Sequence, residues 1–362
     1  MSLALCACAT QSPPPPVTTG TPPSTPVAPG IALLPSVPQP PERPVAPASV
    51  TDPMLPQAQR IDAFVDYTSK TYGVPPQVIR DELAQAQFLQ RTVDIISRPA
   101  EAVRPWSAYR PIFLNDARIA GGVAFYQANR ADLDRIAAQS GVPAEYIVAI
   151  IGVETNYGSN TGNYRVLDAL YSLAFGYPKR APFFAGELAQ LFALGQDEHI
   201  DVSTLMGSYA GAMGLGQFMP SSYRLWGKDG DADGKRDLIS DKDDVFASIA
   251  NYFVVHGWQR GGPVVARASR DAGAADFVPD SIEPVYPLAA LAQRGYRAQS
   301  GEPVPADASQ GATLVTFDGD AGKEYWLGYR NFYVITRYNH SPMYAMAVQQ
   351  LAQAIRAGSG GP

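Results

Sequence analysis

Cysteine is almost missing from this chain of 362 residues, and the two that occur, Cys6 and Cys8, stand within its first ten positions. The rest of the chain therefore offers no disulfide and no thiolate metal site. Histidine is scarce as well. The three histidines, His199, His256 and His340, lack the H-E-x-x-H spacing that places two metal ligands on one helix face. We interpret them as structural or solvent-exposed side chains.

Clustered positive charge and long apolar runs are also lacking. The net charge is −6 at pH 7, and no run of Lys or Arg provides the basic surface that nucleic-acid binding requires. We therefore expect no nucleic-acid partner. No stretch of about 18 consecutive apolar residues occurs, which argues against a membrane-spanning helix.

Proline, by contrast, is abundant in one place, because 16 of the 33 prolines fall between Gln11 and Gln57. Such a composition cannot bury enough apolar surface to offset the chain entropy, so we predict a disordered, proline-rich linker over residues 9–57. In a polyproline conformation, with about 3.1 Å per residue, it would span on the order of 140 Å. It would hold the rest of the protein on a long tether.

The first residues, "MSLALCACATQ", resemble the end of a bacterial lipoprotein signal, in which Leu5 and Ala7 precede an acylated Cys8. No Lys or Arg precedes the short apolar stretch, so either the true start lies upstream or these residues are an ordinary disordered terminus. The proline-rich spacer favours the lipoprotein interpretation. Residues 1–8 would then be the remnant of the signal, and the lipid on Cys8 would be the only contact with a membrane.

The segment 58–262 repeats apolar residues at helical spacing. Residues 111–141 predict one long helix, and "VPAEYIVAIIGVETNYG" predicts the next, with Pro143 at its start and Gly158 just past its end. Further helices are predicted at 183–195, 244–256 and 341–357.

The helical period fades between residues 263 and 331. "ATLVTFDGDAGKEYWLGY" alternates apolar and polar residues around a Gly/Asp-rich turn and predicts a hairpin, while "NFYVITRY" has the composition of a strand. The predicted fold class is therefore mainly α (α+β), with a helical region at 58–262, a small antiparallel β-rich domain at 263–331 and a segment at 332–357 that returns to the helical body.

One acidic side chain interrupts the most apolar of the predicted helices. Glu154 stands seven residues after Ile147, so its carboxylate projects from the stripe that the helix buries. Burial raises the pKa of a carboxyl group, which suits a general acid. The alternative is a structural ion pair with Arg165, Lys179 or Arg180.

A glycine-rich stretch, "GSYAGAMGLGQFMPSSY" at 207–223, surrounds Ser208, Tyr209 and Gln217 with four glycines. Glycines let a bulky ligand approach the backbone, and Ser, Gln and Tyr supply neutral hydrogen bonds and stacking faces. This chemistry suits sugar hydroxyl and acetamido groups. Phosphate is less suitable because no Lys and no preceding strand accompany the loop. A tight contact between helices is the alternative.

Four motifs in this order, "GVETNYG", "GSYAGAMGLGQFMPSS", "IANYFVVHGW" and "NFYVITRYNHSPMYAMAV", resemble the membrane-bound lytic transglycosylase B family of bacterial cell-wall enzymes. The resemblance covers roughly residues 58–357. It implies a lysozyme-like catalytic core with an added helical region and a small β domain. The implied activity is non-hydrolytic cleavage of the β-1,4 bond from N-acetylmuramic acid to N-acetylglucosamine, which leaves a 1,6-anhydro end.

The resemblance also implies a setting and roles for individual residues. The enzyme would be a periplasmic monomer, anchored to the outer membrane, that acts on peptidoglycan glycan strands without an organic cofactor, with cell-wall synthases as further partners. Glu154 would be the single catalytic acid. The implied saccharide contacts are Ser208, Gln217, Tyr109, Arg180, Tyr252, Tyr338 and Asn339.

The absence of a second carboxylate inside these motifs bears on the mechanism, since ordinary glycosidases use two carboxylates about 5 to 10 Å apart. Glu154 would act first as acid and then as base, while the substrate's own acetamido group, supported by Asn339 and Ser208, stabilises the charge at C1. The alternatives are a hydrolytic muramidase and a non-catalytic peptidoglycan-binding lipoprotein.

The stretch "KDGDADGKRDLISDKDD" at 228–244 resembles a calcium-binding EF-hand loop. Position 12 is Ser240 in place of the usual Glu, so Asp241 or Asp244 would have to close a longer loop, and the family resemblance favours Asp244. We expect a structural Ca²⁺, with an acidic turn that binds no ion as the alternative. The expected ligands are Asp229, Asp231, Asp233, the carbonyl of Lys235, and Asp244.

Overall fold

The helices of the computed structural model account for most of the residues that it describes, which are 31–40, 45–98, 104–307 and 309–360. In chain order they are α1 (Ala48–Thr51), α2 (Gln57–Tyr72), α3 (Pro76–Gln85), α4 (Gln90–Ser97), α5 (Trp106–Phe113), α6 (Asp116–Ala128), α7 (Arg130–Ser140), α8 (Ala144–Thr155), α9 (Val166–Gly176), α10 (Ala181–Glu198), α11 (Pro220–Trp226), α12 (Lys242–Val255), α13 (Leu288–Gln293), α14 (Arg330–Tyr338) and α15 (Pro342–Gly358). The strands are β1 (Tyr164–Arg165), β2 (Met206–Gly207), β3 (Val265–Arg270), β4 (Tyr286–Pro287), β5 (Tyr296–Ala298), β6 (Gly311–Gly319) and β7 (Gly322–Gly328). The mainly α fold class with a small antiparallel sheet is confirmed.

Helix α8 is the centre of the helical body. Its residues 147–151 are completely buried, and the helix packs against α15 and α6 and also contacts α7 and α12. A helix that is apolar on all sides requires such a buried position. Because its surroundings are closely packed, α8 is a rigid support for the side chains at its C-terminal end.

Within the described residues, no single helix is both long enough and apolar enough to cross a membrane. Helices α7 and α8 meet the length and composition criteria only as a pair, and they are bent by 115° relative to each other.

The predicted β domain is a five-stranded antiparallel sheet in the order β4-β6-β7-β3-β5. Its hairpin, β6–β7, turns between Gly319 and Gly322, as predicted. Strand β6 pairs with β7 from Thr313 to Gly319 and with β4 only through Gly311 and Ala312. One face of β6 directs Val315 and Phe317 into the helical core, whereas the other face belongs to a smaller separate core.

Two predictions of local structure are wrong. "NFYVITRY" forms helix α14 instead of a strand, because tertiary packing overrides the strand propensity of β-branched and aromatic residues. Asn331 fixes the start of this helix, since its Nδ2 donates hydrogen bonds to the carbonyl oxygens of Gln259 and Gly262, both at 2.9 Å. The single helix predicted for 111–141 is divided into the end of α5, α6 and α7. Asn115 caps α6 by accepting a hydrogen bond from the amide of Arg118.

The prediction of disorder up to residue 57 is also wrong for 31–40 and 45–57, which lie against the folded body. The amide of Leu34 donates to the Val285 carbonyl at 2.8 Å, and the amide of Ala46 donates to the Pro182 carbonyl at 3.0 Å. Val37 and Val50 are buried, so the scattered apolar residues among the prolines are sufficient to hold the segment. The predicted signal remnant with Cys8 and the linker residues 9–30 and 41–44 lie outside the described residues.

Candidate active site

Glu154 lies at the C-terminal end of α8, where the chain makes a sharp turn. The two residues that follow the helix, Asn156 and Tyr157, both have left-handed backbone conformations, with φ of 51° and 58°. Such conformations are uncommon for residues other than glycine. The turn is closed by hydrogen bonds from the Asn156 amide to the Gly152 carbonyl and from the Tyr157 amide to the Ile151 carbonyl.

The side chain of Tyr157 explains why glycines stand nearby in the sequence. Its ring folds back beneath α8, and a Cβ atom placed on Gly152 would lie 2.7 Å from it. A Cβ atom on Gly122 of α6 would lie 2.6 Å from the Tyr157 hydroxyl oxygen. That hydroxyl donates to the Arg118 carbonyl at 2.8 Å, and the Arg118 guanidinium donates to the Gly152 carbonyl. The motif "GVETNYG" therefore fixes the end of the helix that carries Glu154.

The surroundings of Glu154 consist of tyrosines and contain no charge partner. The hydroxyl of Tyr344, on α15, donates a hydrogen bond of 2.6 Å to Glu154 Oε1. Tyr109 of α5 and Tyr338 of α14 are close enough for the Glu154 charge to raise their pKa values. In the described part of the chain, no cation forms an ion pair with Glu154. The carboxyl group is thus enclosed by groups that can donate hydrogen bonds but cannot neutralise it.

Burial at this site has a large effect on the carboxyl group. Desolvation raises the pKa of Glu154 from 4.5 to about 7, and the hydrogen bond from Tyr344 opposes the rise by stabilising the carboxylate. At neutral pH the group therefore exists in both protonation states. Such a carboxyl can donate a proton and then, as the carboxylate, accept one.

The structural ion pair that was the alternative for Glu154 is not formed. Arg165 pairs instead with Asp168, with 3.6 Å between Arg165 Nε and Asp168 Oδ2. Arg180 stands over the rings of Phe183 and Phe184, with its guanidinium carbon 4.4 and 5.1 Å from the ring centroids. Arg180 directly precedes α10, and no observed contact brings it to Glu154, so its predicted saccharide contact remains a prediction.

The glycine-rich loop joins the end of α8 from the side. Thr155 Oγ1 lies 3.1 Å from the Leu215 carbonyl oxygen. Ser208 is buried, and its Oγ accepts hydrogen bonds from the amides of Ala210 and Ala212. The side-chain amide of Gln217 donates to the carbonyls of Thr161 and Gly214. Both polar side chains therefore shape the loop, and their predicted saccharide contacts are untested.

An aromatic cluster lies behind this loop. Tyr252 stacks on His256 with ring centroids 4.0 Å apart and approaches Tyr338 at 4.8 Å. The Tyr252 hydroxyl donates to the Arg337 carbonyl, and the Tyr338 hydroxyl donates to the Gly216 carbonyl. The first bond joins α12 to α14, and the second joins α14 to the loop. His256 is buried in this cluster, in agreement with the structural role that the sequence indicated.

Asn339, next to Tyr338, has a side-chain oxygen that is buried and has no hydrogen-bond partner. A buried polar atom without a partner is costly in a folded protein. Its free acceptor is available to an N–H donor, such as that of an acetamido group.

The acidic loop brings together three of the predicted metal ligands, Asp229, Asp231 and Asp244, whose carboxylate oxygens lie within 4.8 Å of one another. Asp244 is buried and accepts hydrogen bonds from the amides of Gly230 and Asp237. The loop is therefore closed by Asp244, whereas Asp241 caps α12 by accepting from the amides of residues 243 and 244. The side chain of Asp233 accepts from the Lys235 amide and is not part of the cluster.

Sequence reasoning missed Tyr344, although this residue has the most direct contact with Glu154. The signal was present in the motif "SPMYAMAV", because Tyr344 is the one polar-tipped aromatic residue in the otherwise apolar first turns of α15. Tyr344 reaches Glu154 only because α15 packs beside α8, and a local sequence pattern cannot reveal that contact.

The fold and the site define a class of protein. A glutamate with a raised pKa stands at the end of a buried helix, beside a glycine-rich loop and a cluster of tyrosines. The site can therefore supply a general acid, as enzymes that cleave glycosidic bonds require, without the second carboxylate that most of them use. Residues 56–353 match the family described as "Transglycosylase SLT domain", and the chain belongs to that family.

The particular relatives sharpen this assignment. The chain is 40% identical over 301 residues to the membrane-bound lytic murein transglycosylase B of Escherichia coli (strain K12), with 81% of each chain covered. It is similar in structure to the soluble lytic transglycosylase SltB1 of Pseudomonas aeruginosa, with a TM-score of 0.78, 46% identity and coverage of 83% of this chain and 100% of that one.

Two further similar structures contain ligands. Escherichia coli lytic transglycosylase SLT35, solved in complex with calcium, has a TM-score of 0.74 and 36% identity, covering 88% of this chain and 97% of that one. Pseudomonas aeruginosa SltB3, solved in complex with NAG-NAM-pentapeptide, has a TM-score of 0.72 and 31% identity, covering 83% and 80%.

Proposed function

We propose that this protein is a lytic transglycosylase that cleaves the β-1,4 bond between N-acetylmuramic acid and N-acetylglucosamine in peptidoglycan and leaves a 1,6-anhydromuramic acid end. The family membership supports the class of reaction. The observation that carries the proposal is the isolation of Glu154, which is desolvated, bonded to Tyr344 and not paired with a second carboxylate among the described residues.

The mechanism uses Glu154 twice. In its protonated form it donates the proton to the glycosidic oxygen as the bond from C1 to that oxygen breaks. The acetamido carbonyl oxygen of the same sugar then bonds to C1 and takes up the positive charge. The Glu154 carboxylate, held by Tyr344, removes the proton from the C6 hydroxyl, whose oxygen attacks C1 and displaces the acetamido oxygen. No water is consumed, and the glutamate returns to its protonated form.

The neighbouring groups act by positioning. Asn339 Oδ1, buried and without a partner, would accept the acetamido N–H, which orients the carbonyl oxygen toward C1. Tyr109, Tyr338 and Tyr344 surround the carboxyl group and limit its contact with water. Exclusion of water from the site favours attack by the C6 hydroxyl over hydrolysis.

The hydrolytic muramidase is not favoured, because the two relatives of 40% and 46% identity described above are named as lytic transglycosylases. The non-catalytic lipoprotein is not favoured either, since the raised pKa of Glu154 serves no evident purpose in a protein that only binds.

The decisive experiment is mass spectrometry of the muropeptides released from purified sacculi. We expect products lighter by one water than the hydrolytic ones, and at least a ~1,000-fold loss of release with Glu154→Gln, which cannot donate the proton. Glu145→Gln, on the same helix, is the control and should release muropeptides at the wild-type rate. Hydrated products would indicate a muramidase, and substantial release by Glu154→Gln would overturn the role of this residue.

We further propose a structural Ca²⁺ at Asp229, Asp231 and Asp244, because Ca²⁺ prefers clustered carboxylate and carbonyl oxygens and SLT35 was solved in complex with calcium. Asp233 and the Lys235 carbonyl remain candidates for further ligands. The ion would neutralise the buried Asp244, whose pKa burial raises.

The calcium site is tested by the melting temperature, Tm. Saturating Ca²⁺ should stabilise the wild type by about 3 kcal/mol at a concentration of 100 Kd, and Asp244→Asn should abolish the increase. Asp318→Asn, in the other Gly/Asp turn, should retain it. An unchanged Tm of the wild type in Ca²⁺ would rule the site out.

The cellular setting follows from the same relatives. The similar Escherichia coli protein is named as membrane-bound, and we propose that this chain is held at the outer membrane, facing the periplasm, through a lipid on Cys8. Peptidoglycan glycan strands are the expected partner, and contact with cell-wall synthases and a monomeric state remain predictions.

A further inference from the structure

An open groove of about 610 Å³ lies between the sheet and the helical body. Its floor is apolar, and Trp106 of α5 stacks there on Phe317 of β6 with ring centroids 5.0 Å apart. Val278 lines the groove and is 84% exposed. An apolar side chain with this degree of exposure at the edge of an aromatic floor is typical of a surface that contacts a ligand.

The groove follows an unpaired strand edge. Six consecutive residues of β6, 313–318, line it. On one side these residues pair with β7, but the pairing of β6 with β4 stops at Ala312, so no strand of the described chain pairs with residues 313–318 on their other side. In an antiparallel strand, alternate residues direct N–H and C=O groups to each edge. Such an edge is a template for an extended peptide.

The groove also adjoins the active site. Trp106 stands one helical turn before Tyr109, which is close to Glu154. Met343 also lines the groove and is followed by Tyr344, which donates to Glu154. If a sugar is bound at Glu154, a substituent that points from it toward Trp106 and Met343 would enter the groove.

The rim of the groove carries two exposed carboxylates and one exposed cation, Arg104. Asp280 and Asp318 both line it and are exposed. In the described part of the chain neither carboxylate takes part in an ion pair, so a cationic group of a ligand could be held by either.

We propose that this groove binds the stem peptide carried by the lactyl group of N-acetylmuramic acid. The inference rests on the proposed function, which places that sugar beside Glu154. The peptide amides would meet the free edge of β6, the alanine methyl groups would lie on the floor formed by Trp106 and Phe317, and the ammonium group of the diamino acid would face Asp318. Four extended residues cover about 13 Å, and six strand residues offer about 20 Å, so the free edge is long enough for the peptide.

Binding is tested first without catalysis, by calorimetric titration of the protein with the free tetrapeptide L-Ala-γ-D-Glu-meso-diaminopimelate-D-Ala. Thr316→Trp places an indole in the groove from an exposed position of β6 and should weaken binding at least about tenfold. Ser269→Trp, at an exposed position of β3 away from the groove, is the matched control and should bind as the wild type. Asp318→Asn provides a second variant with a minimal change of shape and should bind more weakly, with a smaller dependence on salt. The proposal is overturned if the wild type does not bind the tetrapeptide, or if neither groove variant weakens the binding.

Cleavage provides the second test. With glycan strands that carry stem peptides, Thr316→Trp should lower kcat/KM about tenfold, whereas strands stripped of peptide by an amidase should be cleaved at the wild-type rate. Equal losses on both substrates would assign the groove to the glycan and contradict the proposal. A wild type that cleaves neither substrate would instead contradict the proposed function, and the titration would still decide whether the groove binds the peptide.

Discussion

The carboxyl groups of Glu154, at the end of α8, and of Asp229, in the acidic loop, have pKa values that are shifted in opposite directions. At the end of α8 one carboxyl group is desolvated and receives a single hydrogen bond, so its pKa rises to about 7. In the loop, the exposed Asp229 accepts hydrogen bonds from the amides of residues 232, 233 and 234, and these lower its pKa. At Asp229 the backbone donors stabilise the carboxylate even though other acidic side chains lie close by.

The difference shows how the same type of side chain acquires two roles. A carboxyl that holds its proton at neutral pH can act as an acid, whereas one that loses it can accept hydrogen bonds or a cation. The number of hydrogen-bond donors and the access of water decide which role a carboxyl group takes in these two places. The charges of the neighbouring residues contribute less.

The largest effect on stability is expected for Glu154→Gln. Because the folded-state pKa of about 7 lies above the ordinary 4.5, the stability that Glu154 contributes is fully present below pH 4.5 and is lost as the pH rises through 7. This pKa difference corresponds to about 3 kcal/mol. The variant should therefore unfold at a higher urea concentration than the wild type at pH 8 and at a similar one at pH 4.5. A constant difference across this range would contradict the desolvation argument.

A smaller effect is expected for Gly152→Ala. The added Cβ atom would meet the Tyr157 ring, and overpacking of this kind costs about 1–3 kcal/mol. Urea unfolding measures the loss, and activity should fall because the end of α8 moves. In the double variant with Tyr157→Leu, the smaller side chain should relieve the overlap, so strictly additive losses would show that the two residues do not interact.

The hydrogen bond from Tyr344 is expected to set the pH range of activity. Tyr344→Phe removes the donor that stabilises the Glu154 carboxylate, so the pKa of Glu154 should rise and the alkaline limb of the pH–rate profile should move up by about one pH unit. Tyr146→Phe is the matched control, because its hydroxyl donates to Gln349 across the same α8–α15 interface. It should lower stability without moving the profile, and an equal shift in both variants would assign the effect to packing.

The smallest effect is expected for Asp229→Asn in the presence of a calcium chelator. The amide retains one acceptor oxygen and so loses part of the hydrogen bonding to the loop amides. We expect a decrease in Tm of about 1–2 °C at pH 7, opposite in sign to the change for Glu154→Gln. An increase in Tm would mean that repulsion among the aspartates outweighs the backbone donors.

Much of this organisation could be predicted from local patterns. The run of apolar residues around Ile147 indicated a buried helix, and Gly158 marked its end. The position of Glu154 on that helix indicated a desolvated acid, and the spacing of the aspartates indicated a loop that gathers carboxylates. Each of these depends on residues within about fifteen positions of one another, so no knowledge of the rest of the fold was required.

Other features depend on contacts between distant segments. The composition of "NFYVITRY" favours a strand, but the loop carbonyls that Asn331 binds help to fix it as a helix. The proline-rich segment around Val37 has too few apolar residues for its burial to be predicted. In the structure some of these few apolar side chains, Val37 among them, are nevertheless buried against the folded body.

The sequence alone determined that an isolated glutamate ends a buried helix and that a glycine-rich loop and an acidic loop follow, because hydrophobic periodicity and backbone requirements are local. Only the tertiary structure decided that Tyr344, 190 residues away, donates to that glutamate, that Asp244 closes the acidic loop, and that the edge of β6 is left open beside the active site. These depend on which surfaces meet when helices and sheet pack together, and packing is a property of the whole chain.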